Sequence, residues 1–174
     1  MMKTINLTPA PLTAKGFAPF GDVIDSSGED FITINDGYAR KYADLAMIDT
    51  QEGGGKTAVH IFVAKKRQFP LKIHMLEKHP FFSQAFIPRD KQPFIVVVAP
   101  AHDTPKTEQI KAFISNGEQG VNYARGVWHF PLISLEDDNQ FIVVDRKHNG
   151  QSETLEQCVV VPFNEMEINL RIST

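Results

Sequence analysis

The chain has a single cysteine, a single tryptophan, no long apolar run and no strong excess of either charge. One cysteine, Cys158, rules out an internal disulfide and a cysteine-built metal site. It sits in Q-C-V-V-V and reads as a buried thiol. A formal charge of −3 with both signs interspersed gives no electrostatic case for nucleic acid or an anionic membrane surface. No stretch approaches the roughly 20 apolar residues needed to cross a bilayer. The opening M-M-K-T-I-N-L has no apolar core or cleavage pattern of a secretory leader. Repeats, low-complexity tracts and linkers are also missing. The expectation is a soluble, cytoplasmic protein of one domain over 1–174.

What is present is ordinary globular composition, 42% hydrophobic and 22% charged over 174 residues. The dominant pattern is short runs rich in Val, Ile and Phe, punctuated by Pro, Gly, Asn and Asp. Strands are predicted near 31–34, 58–63, 71–75, 84–88, 94–98, 128–132, 141–145 and 158–161. Most of the eleven prolines fall at strand ends, where a missing N–H is tolerated. One helix is predicted after Thr104, with Pro105 at its first position, Ile110, Phe113 and Ile114 on one face, and Asn116-Gly117 as the stop. A second short helix is expected near 9–18. Many strands and few helices point to an antiparallel sandwich or barrel. The G-G-G-K-T at 53–57 resembles the end of a phosphate loop, but position 50 is threonine and a strand, not a helix, follows. It reads as a flexible loop.

Polar side chains cluster in H-M-L-E-K-H-P-F-F-S-Q, residues 74–84. Glu77 and His79 are two apart and share a face if they lie on a strand, whereas His74 falls on the other face. Gln84 opens the next strand. A second cluster, G-V-N-Y-A-R-G-V-W-H, ends at His129. Two such clusters are what a small barrel needs to converge polar groups in its mouth. Tyr123 and Trp128 read as packing, and His60 as core or interface. His102 and His148 lie in loop-like sequence and are expected at the surface.

These two clusters resemble the paired motifs of metal-binding cupin barrels, with Glu77 in place of the first histidine, Gln84 in place of the glutamate and Ala124 in place of the usual proline. Four longer stretches resemble the ureidoglycolate lyase family. They are F-A-P-F-G-D-V-I (17–24), I-N-D-G-Y-A-R-K-Y-A-D-L-A (34–46), H-M-L-E-K-H-P-F-F-S-Q-A-F-I-P (74–88) and Y-A-R-G-V-W-H-F-P-L (123–132). The resemblance implies a mainly β, cupin-like double-stranded β-helix barrel and a homodimer. It also implies cleavage of (S)-ureidoglycolate to glyoxylate and urea in allantoin-derived purine breakdown, with a divalent metal, nickel. On this reading His74, Glu77, His79, Gln84 and His129 are the catalytic candidates, and Glu77, His79, Gln84 and His129 the metal ligands. Gln84 either ligates or orients a ligand.

The chemistry suits these residues. A base takes the carbinol proton, an acid protonates the leaving nitrogen, and the C–N bond breaks. A metal held by imidazole and carboxylate would acidify the hydroxyl. Arg40, Lys72 and Arg125 are candidates for the substrate carboxylate, with Tyr42 beside Arg40 in the second stretch. Two other readings keep the barrel: a different metal-dependent cupin enzyme, isomerase or oxygenase, and a non-catalytic binding module.

Overall fold

The computed structural model describes residues 3–147 and 157–172. His148 lies outside them. The chain is mainly β, with two large sheets facing each other as a cupin-like barrel. A five-stranded sheet runs, in spatial order, Gly21–Ile24, Gly120–Tyr123, Gln84–Pro88, Asn139–Arg146 and Thr57–Ala64, with every pair antiparallel. Opposite it lies a sheet with the path Val159–Pro162, Met75–Lys78, Trp128–His129, Phe94–Ala99, Lys111–Ile114 and Ala10–Pro11, with Ile133–Ser134 also paired to Phe94–Ala99. A third sheet of Lys3–Leu7, Met166–Leu170 and Leu71–Lys72 covers the outside of the second.

The unbroken apolar run Phe94–Ala99 explains this layering. It is buried along its whole length. Phe94, Val96 and Val98 join the core between the two large sheets, with Phe17, Phe20, Phe86, Phe113, Phe141 and Val143. Ile95, Val97 and Ala99 join a second core with Ile73, Leu76, Trp128, Ile168 and Leu170, on the side of the third sheet. A strand buried on both faces has no polar alternation, which is what the sequence shows. Strand Asn139–Arg146 instead alternates strictly, with Asn139, Phe141, Val143 and Asp145 buried.

The expected strands at 84–88, 94–98 and 141–145 form as read, as do those at 31–34, 58–63 and 158–161 with shifted ends. Other expectations change. The strand expected near 128–132 keeps only Trp128–His129, and Ile133–Ser134 is a separate short strand. The helix after Thr104 is absent: Thr107–Gln109 makes a single 3-10 turn and Lys111–Ile114 is a strand. Its pairing with Ile95–Val98 sends Phe113 to one core and Ala112 to the other. The apolar spacing at 110, 113 and 114 fits helix and strand alike, and the tertiary pairing decides. The expected strand at 71–75 is divided: Leu71–Lys72 belongs to the third sheet and Met75–Lys78 to the second. The short helix expected near 9–18 contracts to Ala14–Phe17, capped by Thr13, whose hydroxyl accepts from Gly16 N at 3.1 Å. The G-G-G-K-T stretch is a 3-10 turn, Glu52–Gly54, that leads into strand Thr57–Ala64.

Gly21 is the backbone position that the barrel requires to be glycine. Its φ is +140°, it pairs with Tyr123, and a Cβ there would collide with the carbonyl oxygen of Asn122. Gly37 has φ +93° with open space around it. Gly21→Ala should therefore cost about 3 kcal/mol or more, and Gly37→Ala, where only the positive φ opposes a Cβ, about 1–2 kcal/mol in urea unfolding. Equal costs would show that the close approach at Gly21 does not constrain the fold.

Candidate functional site

The two sheets leave a cavity of about 360 Å³ between them. From one wall come Glu77 and His129; from the other come Gln84, Phe86, Tyr123 and Phe62. Strand register sets this meeting. Glu77 stands directly opposite His129, and Gln84 opposite Tyr123. Pro80 follows the Met75–Lys78 strand, and His79 sits just beyond its end. Gly126, at φ +78°, turns the chain from Tyr123 into Trp128–His129, and its N–H donates to the carbonyl of His79 at 2.9 Å. That bond ties the two clusters together.

Glu77, His79 and His129 each offer one donor atom, and these atoms lie within 4.8 Å of one another. The rings are oriented by carbonyls. His129 Nδ1 lies 3.1 Å from the carbonyl of Val127, and His79 Nδ1 lies 3.1 Å from the carbonyl of Gln157. A carbonyl only accepts, so each Nδ1 carries a proton, and in the neutral ring the lone pair is then on Nε2. Rings held in this way through their far nitrogens are the usual arrangement of metal-binding histidines. Stacking fixes them further: Tyr123 lies on His129 at 4.4 Å and 11°, and Phe82 on His79 at 4.5 Å and 20°.

His129 is 2% exposed, and its pKa is lowered to about 3. Burial is the main cause and the neighbouring His79 adds to it; the hydrogen bond to Val127 opposes both. His129 Nε2 lies 3.6 Å from Glu77 Oε1. With the imidazole neutral, that contact is not an ion pair. A buried neutral imidazole, a second imidazole with its lone pair on Nε2 and a carboxylate together form a donor set for a divalent ion of borderline softness. The phenol of Tyr123 is held well above its ordinary pKa, first by burial and then by the charge of Glu77. Its hydroxyl is buried and has no hydrogen-bond partner among the described residues.

The other predicted site residues scatter. His74 is exposed and meets Phe130 edge-on at 5.5 Å, on the side of the second core. Lys72 is in the third sheet, opposite Asn169. Arg40 and Tyr42 belong to a peripheral hairpin, Ile32–Ile34 with Ala39–Lys41, and the stretch just after it. There the Arg40 guanidinium lies 4.6 Å over the Phe31 ring, and Tyr42 packs on the same ring at 5.7 Å. Arg125 lines a neighbouring depression, paired with Glu52 at 2.9 Å. Trp128 is packing, as read: it is fully buried, and its indole N–H donates to the carbonyl of His102 at 2.9 Å.

Three features of the site go beyond the sequence reading. Asp145 is buried behind Gln84, whose Nε2 donates to Asp145 Oδ2 at 3.0 Å, and His60 Nε2 lies 2.9 Å from Asp145 Oδ1. The signal was the alternation Phe141, Val143, Asp145. Tyr123, read as packing, also lines the cavity, and its hydroxyl group is buried. Lys65, Lys66 and Arg67 line a smaller depression that shares Ala64 and Leu132 with the cavity. They put positive charge beside a cavity that has no Lys or Arg among its described lining residues.

The family model described as ureidoglycolate lyase matches residues 4–169. A protein named ureidoglycolate lyase from Pseudomonas aeruginosa (strain LESB58) is 48% identical over 151 residues, 87% of this chain and 88% of its own. Proteins of the same name from Azotobacter vinelandii and Burkholderia mallei are each 49% identical, over 144 and 151 residues. They cover 83% and 87% of this chain and 87% of their own length in both cases. A match over nearly the whole chain, reaching both polar clusters that the barrel brings together, makes this chain a member of the ureidoglycolate lyase family.

Proposed function

We propose that the chain is a carbon–nitrogen lyase that cleaves (S)-ureidoglycolate to glyoxylate and urea in allantoin-derived purine breakdown, at the cavity between the two sheets. The observation that carries the site is the convergence of Glu77, His79 and His129 within 4.8 Å beside an apolar cavity. Family membership supplies the substrate.

In this reading Glu77, His79 and His129 hold a divalent metal, nickel. Three protein ligands with open positions is the usual make-up of a catalytic site. When bound, the metal lowers the pKa of a carbinol hydroxyl and balances the substrate carboxylate. The chain's own residues do the rest. Val127 and Gln157 carbonyls keep both Nε2 lone pairs directed inward. Phe62, Phe86 and Leu132 exclude water from the C–N bond. Tyr123, protonated and buried, offers its O–H to the ureido carbonyl. The reaction balances without an oxidant: the carbinol proton leaves, the C–N electron pair departs with nitrogen, nitrogen gains a proton, and the carbinol carbon becomes the aldehyde. Lys65, Lys66 and Arg67 draw the anionic substrate towards the cavity, a long-range role that Arg40, Lys72 and Arg125 are too scattered to fill.

The reading includes a cytoplasmic homodimer. Strand Thr57–Ala64 is the outer strand of the five-stranded sheet among the described residues, and Val59, Ile61 and Val63 are 67%, 52% and 59% exposed on it. An apolar edge strand of this kind is an aggregation hazard unless covered, and a two-fold related copy covers it with the same surface.

Four outcomes are expected. Chelation should abolish urea and glyoxylate release from ureidoglycolate, and one divalent metal should restore it. Glu77→Ala with His79→Ala should lower kcat/KM by at least about a hundredfold while the fold is kept. Unchanged turnover in that folded variant would remove the site assignment. In light scattering the protein should have twice its chain mass, and Ile61→Glu should shift it towards monomer. Finally, the unfolded chain protonates His129 near the ordinary 6.5, whereas the folded chain resists to about 3. The unfolded state therefore binds more protons between those values, and metal-free stability should fall as pH drops through that window. The denaturation midpoint of His129→Gln should depend less on pH there, and an equal slope would remove His129 as the cause.

A further inference from the structure

We propose that Asp145 is a positioning residue. It holds Gln84 so that the amide carbonyl, rather than the NH2, faces the cavity and accepts a hydrogen bond from the substrate's ureido N–H. The inference rests on the lyase reading above.

Asp145 is inside the barrel because strand Asn139–Arg146 alternates, and it is only 3% exposed. A carboxyl group that deep requires partners. It has two. Gln84 Nε2 donates to Oδ2 at 3.0 Å, and His60 Nε2 lies 2.9 Å from Oδ1. Register brings the pair together: Ala85 pairs with Val144, so Gln84 and Asp145 stand side by side one step further along. On its other flank Gln84 pairs with Tyr123.

A primary amide is nearly symmetric in shape and opposite in polarity at its two ends. Within an apolar wall, a half-turn would exchange oxygen and NH2 at little steric cost. A carboxylate oxygen accepts and does not donate, so its presence decides the orientation: nitrogen goes to Asp145 and Oε1 is left for the cavity that Gln84 lines. His60 Nε2 approaches the other oxygen of the same carboxylate to 2.9 Å, without hydrogen-bond geometry. The cavity then has an acceptor from Gln84 and, on the adjacent strand, a lining Tyr123 whose buried hydroxyl has no partner among the described residues and is the donor of this inference. A ureido group offers the complementary pair, an N–H donor and a carbonyl acceptor. A hydroxy acid without the ureido group would leave both protein groups unpaired, and buried polar groups left unpaired are a strong basis for discrimination.

The test uses ureidoacetate, which lacks the carbinol hydroxyl and cannot release urea, with glycolate as the control without a ureido group. Gln84→Met should weaken ureidoacetate binding roughly tenfold. Asp145→Leu should weaken it by a similar factor alone, and by nothing further in the Gln84→Met background. Asp145→Asn, which can still turn an oxygen to Gln84, should keep most of the affinity. Glycolate binding and divalent-metal affinity should not change in any of them. The Gln84 side-chain amide protons should exchange slowly in the native protein and rapidly in Asp145→Leu, a readout that needs no substrate. A full Asp145→Leu loss persisting in Gln84→Met overturns the inference, as does metal loss in Gln84→Met, which would make Gln84 a ligand. Should Asp145→Leu fail to fold, Gln84→Met decides alone, and native affinity for ureidoacetate overturns it. A native protein that neither turns over ureidoglycolate nor binds ureidoacetate overturns the lyase reading and the ureido half of this inference. Amide exchange then judges the positioning half separately.

Discussion

Burial of Phe94–Ala99 on both faces is the constraint from which the rest of the structure follows. A strand with apolar side chains on both sides needs a layer against each. One layer is the five-stranded sheet, which brings Gln84 and Tyr123; the other is the third sheet, which has no part in the cavity. The same strand pairs Val98 with His129, and His129 in turn pairs with Glu77. The position of the donor cluster is therefore a matter of backbone register. Register in a buried sheet is strongly specified, because a one-residue slip would turn every side chain to the wrong face.

Around that frame three polar side chains of the site, His79, His129 and Gln84, are held by groups that accept. Carbonyls hold the two imidazoles and a carboxyl oxygen holds the Gln84 amide. Each acceptor fixes which end of a two-ended group faces inward. The result is a site whose two imidazoles and one amide are oriented before any ligand arrives. Preorganisation of this kind removes reorganisation from the reaction step.

Much of this was legible in the sequence, for identifiable reasons. Strands at 84–88, 94–98 and 141–145 have strong local signals, and the Glu77, His79 and His129 grouping follows from period-two spacing and two clusters that converge. The helix after Thr104 misled because Ile110, Phe113 and Ile114 satisfy both periods in so short a segment. Arg40, Tyr42, Lys72 and Arg125 were chosen by charge and neighbourhood in the chain, and neither property reports which sheet a strand joins. The break between Lys72 and Met75 separates Lys72 from the cavity by a whole layer. Asp145 was visible only as the polar end of an alternating run, where burial depends on the neighbouring strand supplying a partner. Tyr123 is packed, as its apolar setting suggests, and it also lines the cavity.

The strand Thr57–Ala64 serves two surfaces with one backbone. His60 and Phe62 point towards Asp145 and the cavity, while Val59 and Ile61 point away from them. Because successive side chains alternate, substitutions at one parity leave the other surface chemically unchanged. Selection acting on assembly and selection acting on chemistry can therefore proceed independently at Val59 to Phe62, whereas Val63, exposed and also lining the cavity, is where the two surfaces meet. A lineage could redesign the outward surface of this strand, and with it the partner it meets, while handing down the inward surface intact.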